Sequence, residues 1–335
     1  MMLAAFYTRP GSARDVLRVS EVNKPTPGRG EVRVKLCVSG VNPADVKRRA
    51  GAVARTMQFP IVIPHNDGAG VIDAVGAGVC PSREGERVWV WNGQWERPFG
   101  TAAEFITLAS AQAVGLPATA PFELGAALGV PGLTAHRCVS ALGDLRGRTV
   151  LVFGAGGAVG HLVVQLAKAR GARVVGVVRT VSTRESLEAV GVDACLAIPH
   201  PSFVQAARAV LMPHGADHIV DVDYAANSGW YTALLARHGS VVVFGSASDM
   251  RPAVDVLALQ KHGVTLHFIA GADQPMASRE RAIEELQQML TEQRLSLWRH
   301  AIYRLGDIVE AHERLETGSF TGKVLLDIAS CAVAA

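Results

Sequence analysis

The sequence predicts an α/β protein of two domains, one built on a doubly wound parallel sheet and the other a compact β-rich body. Three observations carry that prediction. The chain has 335 residues, too many for one core at the usual ~100 to 200 residues per domain. Its middle portion alternates apolar, β-branched runs with helix-like segments. Its first 120 residues are short β-rich segments broken by Gly and Pro.

In chain order, EVRVKLCVSGV, GAGVIDAVGAGV, ERVWVWNG and AAEFITLA supply the strands of a largely antiparallel, barrel-like domain over residues 1–124. Between Thr149 and Ile269 six strands are expected: TVLVF (149 to 153), RVVGVV (173 to 178), ACLAI (194 to 198), HIVDV (218 to 222), SVVVF (240 to 244) and VTLHF (264 to 268). They are nearly continuous apolar runs, as strands covered on both faces require. AVGHLVVQLAKAR puts Val159, Leu162, Val163 and Leu166 at helical spacing and stops before Gly171, a C-terminal cap. SFVQAARAVL and NSGWYTALLARHG read as later helices, the second also closed by a glycine. Six strands with helices between them make a complete dinucleotide-binding unit, here over 125–269. Beyond it, SRERAIEELQQMLTEQR places Ile283, Leu286, Met289 and Leu290 on one helical face, and GKVLLDIA forms a last strand. Residues 270–335 are expected to return to the first domain, with ligands bound in the cleft between the two.

Composition narrows the function. Lys+Arg 33 against Asp+Glu 30 leaves +3, which argues against nucleic acid or an anionic membrane as the main partner. Hydrophobic residues at 49% and charged ones at 19% exclude a disordered or coiled-coil chain. The start lacks the charged flank and apolar stretch of a secretion signal, and no run of ~18 apolar residues spans a bilayer, so a cytoplasmic protein is expected. Cys37, Cys80, Cys138, Cys195 and Cys331 are odd in number and far apart, favouring inert thiols over a structural zinc or a disulfide framework.

The strongest single signal follows TVLVF. Gly154-Ala155-Gly156-Gly157-Ala158-Val159-Gly160 leads into a helix, where a backbone turns sharply, approaches a pyrophosphate and aims helix N–H groups at its charge. Strand, loop, helix and second strand together indicate a dinucleotide site. An NAD-preferring site carries an acid at the end of the second strand, to hold the ribose 2′-hydroxyl. That end here reads Val178-Arg179-Thr180-Val181-Ser182-Thr183-Arg184. Arg179 and Arg184 can pair with a 2′-phosphate, and Thr180, Ser182 and Thr183 can donate to it. NADPH is therefore favoured over NADH; the alternative is that both arginines are solvated loop charges.

The order of VNPADVKRRAG (41 to 51), PHNDGAGVIDAVGAGV (64 to 79), GVPGLTAH (129 to 136) and the glycine loop resembles the medium-chain dehydrogenase/reductase superfamily. Within it, the chain is similar to the zinc-independent quinone oxidoreductases of the zeta-crystallin type. The resemblance implies a GroES-like catalytic domain and a Rossmann cofactor domain. In the zinc alcohol dehydrogenases of this superfamily a Cys ligand stands where this chain has Asn42, and a His ligand where it has Asn66. Amides are not usual zinc ligands, so no metal is expected; a degenerate site at His65 and Asp67 is the alternative.

By position, the resemblance implies that Asn42 is a hydrogen-bond donor beside the nicotinamide and substrate. Asp45 orients it, or is simply a helix-start residue. The resemblance puts Thr134 at the cofactor, Gly157 to Gly160 under the pyrophosphate, and His200 beside the adenine ribose. Phe244, Gly245, Ser246 and Ala247 line the nicotinamide ribose, His267, Phe268 and Ile269 the nicotinamide, and Lys323 the cleft. Relatives carry tyrosines where this chain reads Val46-Lys47-Arg48-Arg49, so Lys47 either meets the substrate or is a solvated helix lysine. Trp89, Trp91 and Trp95 cluster near one loop. Trp91 or Trp95 facing the cleft would wall a planar substrate; Trp89 and Trp91 could equally be alternate positions of one strand.

Without a Lewis acid, the accessible chemistry is hydride transfer to a quinone or to the β-carbon of an α,β-unsaturated carbonyl. Two other readings stand beside this one. An enoyl-thioester reductase is suggested by Lys47, Arg48 and Arg49, and a non-catalytic NADPH-binding protein by the missing tyrosines. Relatives often pair through the edge of the cofactor domain, which makes VTLHF the expected edge of a homodimer; a monomer by light scattering would remove that expectation.

Overall fold

The computed structural model describes residues 1–53, 56–179, 183–198, 202–297, 300–318 and 320–328. They form two compact units, Met1–Val130 with Ile283–Ala335, and Pro131–Ala282.

The first unit opens with β1 (Met2–Phe6), α1 (Ala13–Val16) and β2 (Arg18–Val22), the two strands pairing antiparallel. Then come β3 (Glu31–Val41), α2 (Pro43–Ala50), β4 (Asp67–Val75), β5 (Arg87–Val90), β6 (Phe105–Ala109), β7 (Ala113–Gly115) and α3 (Phe122–Gly125). Strand β3 buries Val32, Val34, Leu36 and Val38 while Arg33 and Lys35 face outward, the period-2 pattern of a half-buried strand. Its long span lets it pair antiparallel with both β4 and β6.

The second unit contains α4 (Leu133–Ser140), β8 (Thr149–Phe153), α5 (Ala158–Ala169), β9 (Arg173–Val178), α6 (Arg184–Ala189), β10 (Ala194–Ala197), α7 (Phe203–Leu211), β11 (Ala216–Asp221), α8 (Tyr224–Asn227), α9 (Tyr231–Leu234), β12 (Leu235–Val243), α10 (Val256–His262) and β13 (Thr265–Phe268). The sheet order is β10-β9-β8-β11-β12-β13, all parallel. This is the order 3-2-1-4-5-6 of a doubly wound dinucleotide fold. Central strand β8 is buried throughout Val150–Phe153, worth about 1.5–3 kcal/mol for each large apolar side chain. The segment NSGWYTALLARHG departs from expectation: it forms a 3-10 turn at Ser228–Trp230 and the short α9, and then enters β12 at Leu235, which pairs with Ala216 ahead of a bulge. Asn227 and Tyr231 both turn inward to the Asp221 carboxylate, at 2.7 and 2.5 Å, and sheet pairing overrides the local helical spacing.

Helix α11 (Met276–Thr291) carries the chain back, burying Leu286, Met289 and Leu290 with Ile283 half-buried. It is followed by β14 (His300–Arg304), α12 (Ile308–Glu316) and β15 (Lys323–Asp327). Strand β15 lies antiparallel to β3 and parallel to β14, giving the order β14-β15-β3-β4-β5-β7 with β6 also on β3.

The unit boundaries fall at 130/131 and 282/283, where the sequence reading placed 124/125 and 269/270. Helix α3 packs on β3, β4 and β5, which keeps the following turn with the first unit. The start of α11 is held to α4, since Gln274 donates to the Leu133 carbonyl and Arg137 to the Ser278 hydroxyl. Cys37 also corrects the expectation of inert thiols: it is disulfide-bonded, its partner lying outside the described residues, while Cys80, Cys138 and Cys195 are free. The end of β15 runs beside Cys37, Ile328 N–H donating to its carbonyl. Among the described residues no helix is long and apolar enough to cross a membrane.

Candidate functional site

In the parallel unit, the loop after β8 turns at Gly154 with φ +70°. Gly160 is the tight position: a Cβ there would stand 2.2 Å from the Gly154 carbonyl oxygen. A Cβ on Gly157 would meet that oxygen at 3.3 Å, a contact small shifts can absorb. The first intrahelical bond of α5 runs from His161 N–H to the Gly157 carbonyl. The N–H groups of Ala158, Val159 and Gly160 precede it, lack intrahelical acceptors and point out of the helix start. The helix carries no acid in its first turn, so nothing there repels a phosphate. Gly160→Ala is expected to lower stability by about 1–3 kcal/mol, whereas Gly157→Ala keeps stability and weakens dinucleotide binding. Thermal melts beside dinucleotide titrations check the contrast, and equal melting losses in both variants would contradict it.

At the end of β9, Arg179 and Arg184 are exposed, and Arg184 donates to the Cys195 carbonyl at 3.2 Å. Thr183 is fully buried at the start of α6. Thr180, Ser182 and His200 lie outside the described residues. Thr134, on α4 where it packs against α5, is buried, and its Oγ1 has no hydrogen-bond partner. An orphaned hydroxyl beside the glycine-loop helix fits a position completed by a ligand.

Because all six strands run parallel, their C-terminal ends share one edge of the sheet, where open α/β sheets bind ligands. The glycine loop, Arg179, Phe244–Ala247 after β12, and His267, Phe268 and Ile269 at β13 all stand at such ends. Phe244 N–H bonds to the Asp221 carbonyl and Tyr224 N–H to the Gly245 carbonyl. Ser246 Oγ accepts from Ala225 N–H at 3.3 Å, and Ile269 N–H bonds to the Val243 carbonyl. Phe268 is 67% exposed on the edge strand.

The β-rich unit holds a buried polar network. Asn42, the residue before α2, donates from Nδ2 to Asp67 Oδ2 at 2.7 Å and accepts from Lys323 Nζ at Oδ1 at 2.7 Å. Lys323 also donates to Asp67 Oδ2 at 2.8 Å, and Val130 N–H to Asp67 Oδ1 at 2.6 Å. An ammonium can only donate and a carboxylate only accept, so the amide orientation of Asn42 is determined. A Cβ on Gly129 would come within 2.4 Å of Asp67 Oδ1, so that backbone must be glycine to reach the carboxylate. Asp45, in the first turn of α2, accepts from Asn42 N–H and from Asn66 Nδ2, both at 2.9 Å. It is at once the helix-start residue and the anchor of the Asn42 backbone. Burial, reinforced by the neighbouring Asp67 charge, pushes its carboxyl up to about 6.

The amides that stand at the zinc-ligand positions of the zinc relatives thus donate to carboxylates, Asn42 to Asp67 and Asn66 to Asp45. Among the described residues no three His, Cys, Asp or Glu side chains gather as a metal site. These residues do not fit a bound zinc.

Behind the network, hydrogen bonds run from His312 through His65 (2.9 Å), Ser39 (2.9 Å) and Thr101 (2.8 Å) to the Asp67 carbonyl (2.5 Å). The carbonyl only accepts, so Thr101 donates to it, Ser39 to Thr101, His65 Nδ1 to Ser39, and His312 Nε2 to His65 Nε2. Both imidazoles are neutral. Burial lowers His65 well below its ordinary value, with the His312 and Lys323 charges adding to it, and lowers His312 to about 3, with Arg49 adding to it.

Of the other expected residues, Lys47 is half-buried on α2 and its side chain makes no hydrogen bond or ion pair among the described residues. Arg49 is fully buried, paired with Glu316 and donating to the Gly11 carbonyl. Arg48 faces a cavity of about 260 Å³ that Trp95 also lines. Three consecutive helix residues point roughly 100° apart, so they do not form one basic patch. Trp89 and Trp91 are both buried, donating to Gln287 and to the Ala111 carbonyl; the expected aromatic wall therefore reduces to Trp95. In the sequence reading Asp67 stood only as half of an alternative metal site, and His312 went unassigned. Their significance is pairing with Lys323 and His65, 256 and 247 residues away, which no local pattern signals.

Comparison with known proteins agrees with this geometry. The family described as alcohol dehydrogenase GroES-like domain matches residues 28–118, and that described as zinc-binding dehydrogenase matches 158–290. The quinone oxidoreductase of Homo sapiens is 29% identical, with 93% of this chain and 94% of that protein covered. That of Mus musculus is 32% identical, with 69% and 70% covered. A structure of mycobacterial Rv1454c complexed with NADPH superposes with TM-score 0.84 at 26% identity, covering 98% of this chain and all of that one. An NAD-dependent alcohol dehydrogenase does so with TM-score 0.89 at 26% identity and the same coverage.

Proposed function

This chain belongs to the medium-chain dehydrogenase/reductase superfamily, in its zinc-independent quinone oxidoreductase branch, and is an oxidoreductase; we propose that it uses NADPH to reduce a quinone or an α,β-unsaturated carbonyl. One observation carries the reading: the residues at the zinc-ligand positions are amides whose bonds close on carboxylates and on an internal ammonium. The bound cofactor supplies the hydride. What the chain must supply is grip, orientation and a donor for the anion that develops on the acceptor oxygen.

The free N–H groups of Ala158 to Gly160 suit a pyrophosphate, and the Thr134 hydroxyl lacks a partner that the cofactor can provide. Arg179 and Arg184, with no carboxylate between them in the sequence, suit a 2′-phosphate. Asn42 is held by Lys323, Asp67 and Asp45, leaving its second Nδ2–H as a pre-oriented donor. Of the three basic residues that suggest an enoyl-thioester substrate, Arg49 is committed to Glu316. Pairing of two copies along edge strand β13 belongs to the same proposal.

The test is oxidation of NADPH and NADH at equal concentration with a quinone acceptor, with and without chelator. NADPH preference unaffected by chelator is expected, with Asn42→Ala lowering kcat by about 10²–10³-fold. NADH preference, or activity that requires added metal, would overturn the reading.

A further inference from the structure

The β-rich unit contains the cavity of about 260 Å³, bounded among others by Tyr7, Arg48, Met57, Phe59, Val62 and Trp95. It is smaller than the ~300 Å³ at which pockets for drug-sized ligands begin, a size for one or two fused rings. Two polar groups face it with unspent donors. The guanidinium of Arg48 bonds through Nη1 to the Gln94 side chain and, at 3.5 Å, to the Gln94 carbonyl. It lies 5.7 Å over the Trp95 ring. It is joined to no carboxylate among the described residues, and its Nη2 and Nε remain available. Tyr7 is 3% exposed, lines the cavity, and its hydroxyl makes no hydrogen bond among the described residues. A half-buried cation and a buried phenol, both short of acceptors, mark a place built for one. The cavity is also coupled to the Asn42 network. Gln94 N–H donates to Asn66 Oδ1 at 3.2 Å, and Asn66 in turn donates to Asp45.

We propose that this cavity binds a flat one- or two-ring ligand carrying an acidic substituent, the ring resting against Trp95 and Phe59 and the anion held by Arg48 and Tyr7. Glu96 also lines the cavity and opposes the anion without pairing to Arg48. Identifying this ligand with the hydride acceptor rests on the function proposed above; the binding itself does not.

Calorimetric titration of the full chain with 2-naphthoate, a non-reducible probe, separates the two. Saturable one-to-one binding is expected, weakened about tenfold or more by Arg48→Met and about threefold by Tyr7→Phe. Glu96→Gln, which leaves the fold untouched, is expected to tighten it, and neutral 2-naphthamide to bind more weakly than the acid. No binding, or binding that Arg48→Met leaves unchanged in a variant that melts like the parent chain, overturns the site. If 2-naphthoate binds through Arg48 but fails to compete with the quinone in NADPH oxidation, the cavity is not the acceptor site and that identification is overturned. Arg48-dependent binding in a chain that turns over no quinone would instead support this site and count against the proposed reaction.

Discussion

Lys323→Met is expected to lower folding stability by roughly 3–5 kcal/mol, the cost of leaving one member of a buried ion pair behind. Lys323 and Asp67 are 1% and 0% exposed. Without the ammonium, the Asp67 carboxylate keeps only the Asn42 amide and the Val130 N–H. The double variant Lys323→Met/Asp67→Asn removes both charges of the pair and is expected to regain more than half of the loss. Urea unfolding at pH 7.5 measures both. A single-variant loss under ~1 kcal/mol, the range of exposed pairs, would show that the pair is solvated and the Asn42 amide not held as described.

Stability is expected to fall as pH drops from 7 to 5. His65 and His312 stay neutral in the folded chain far below the ~6.5 at which the unfolded chain protonates them, so the unfolded state binds more protons in that window. Each imidazole costs roughly 2 kcal/mol by pH 5. Asp45 acts in the opposite sense. Its folded carboxyl, raised to about 6, holds a proton that the unfolded chain releases near 4, and acid relieves that penalty. The net loss is about 2–3 kcal/mol. Unfolding free energies at half-unit pH steps check it. Asp45→Asn should steepen the profile and His312→Asn should flatten it, while a flat parent profile from pH 7.5 to 5 would show that the imidazoles are not buried neutral.

Much of this architecture is visible locally. The six apolar runs from TVLVF to VTLHF become six parallel strands, because strands covered on both faces need continuous apolar sequence whatever their neighbours. Gly160 is legible for a similar reason: the backbone contact that excludes a Cβ is made to Gly154, within the same loop. The helix expected in NSGWYTALLARHG fails where information is non-local, since Leu235 is drawn into the sheet by Ala216. Lys47, Arg48 and Arg49 read as one cluster in the sequence and separate into a half-buried lysine, a cavity cation and a core ion pair. The helix rotates each to a different neighbour, and those neighbours are Glu316 and Gln94, far along the chain.

The sequence by itself determined the parallel sheet, its glycine loop, the lack of an acid after the second strand, and the amides in place of metal ligands. All of these are properties of adjacent residues, set by backbone sterics, apolar periodicity and side-chain chemistry. Only the tertiary structure decided that Lys323 reaches Asn42, 281 residues away, that Asp67 joins them, that His65 meets His312, and that Arg48 and Tyr7 share a cavity. Those pairings depend on which strands and helices pack together, and a buried charge or donor declares its partner only once the chain has closed around it.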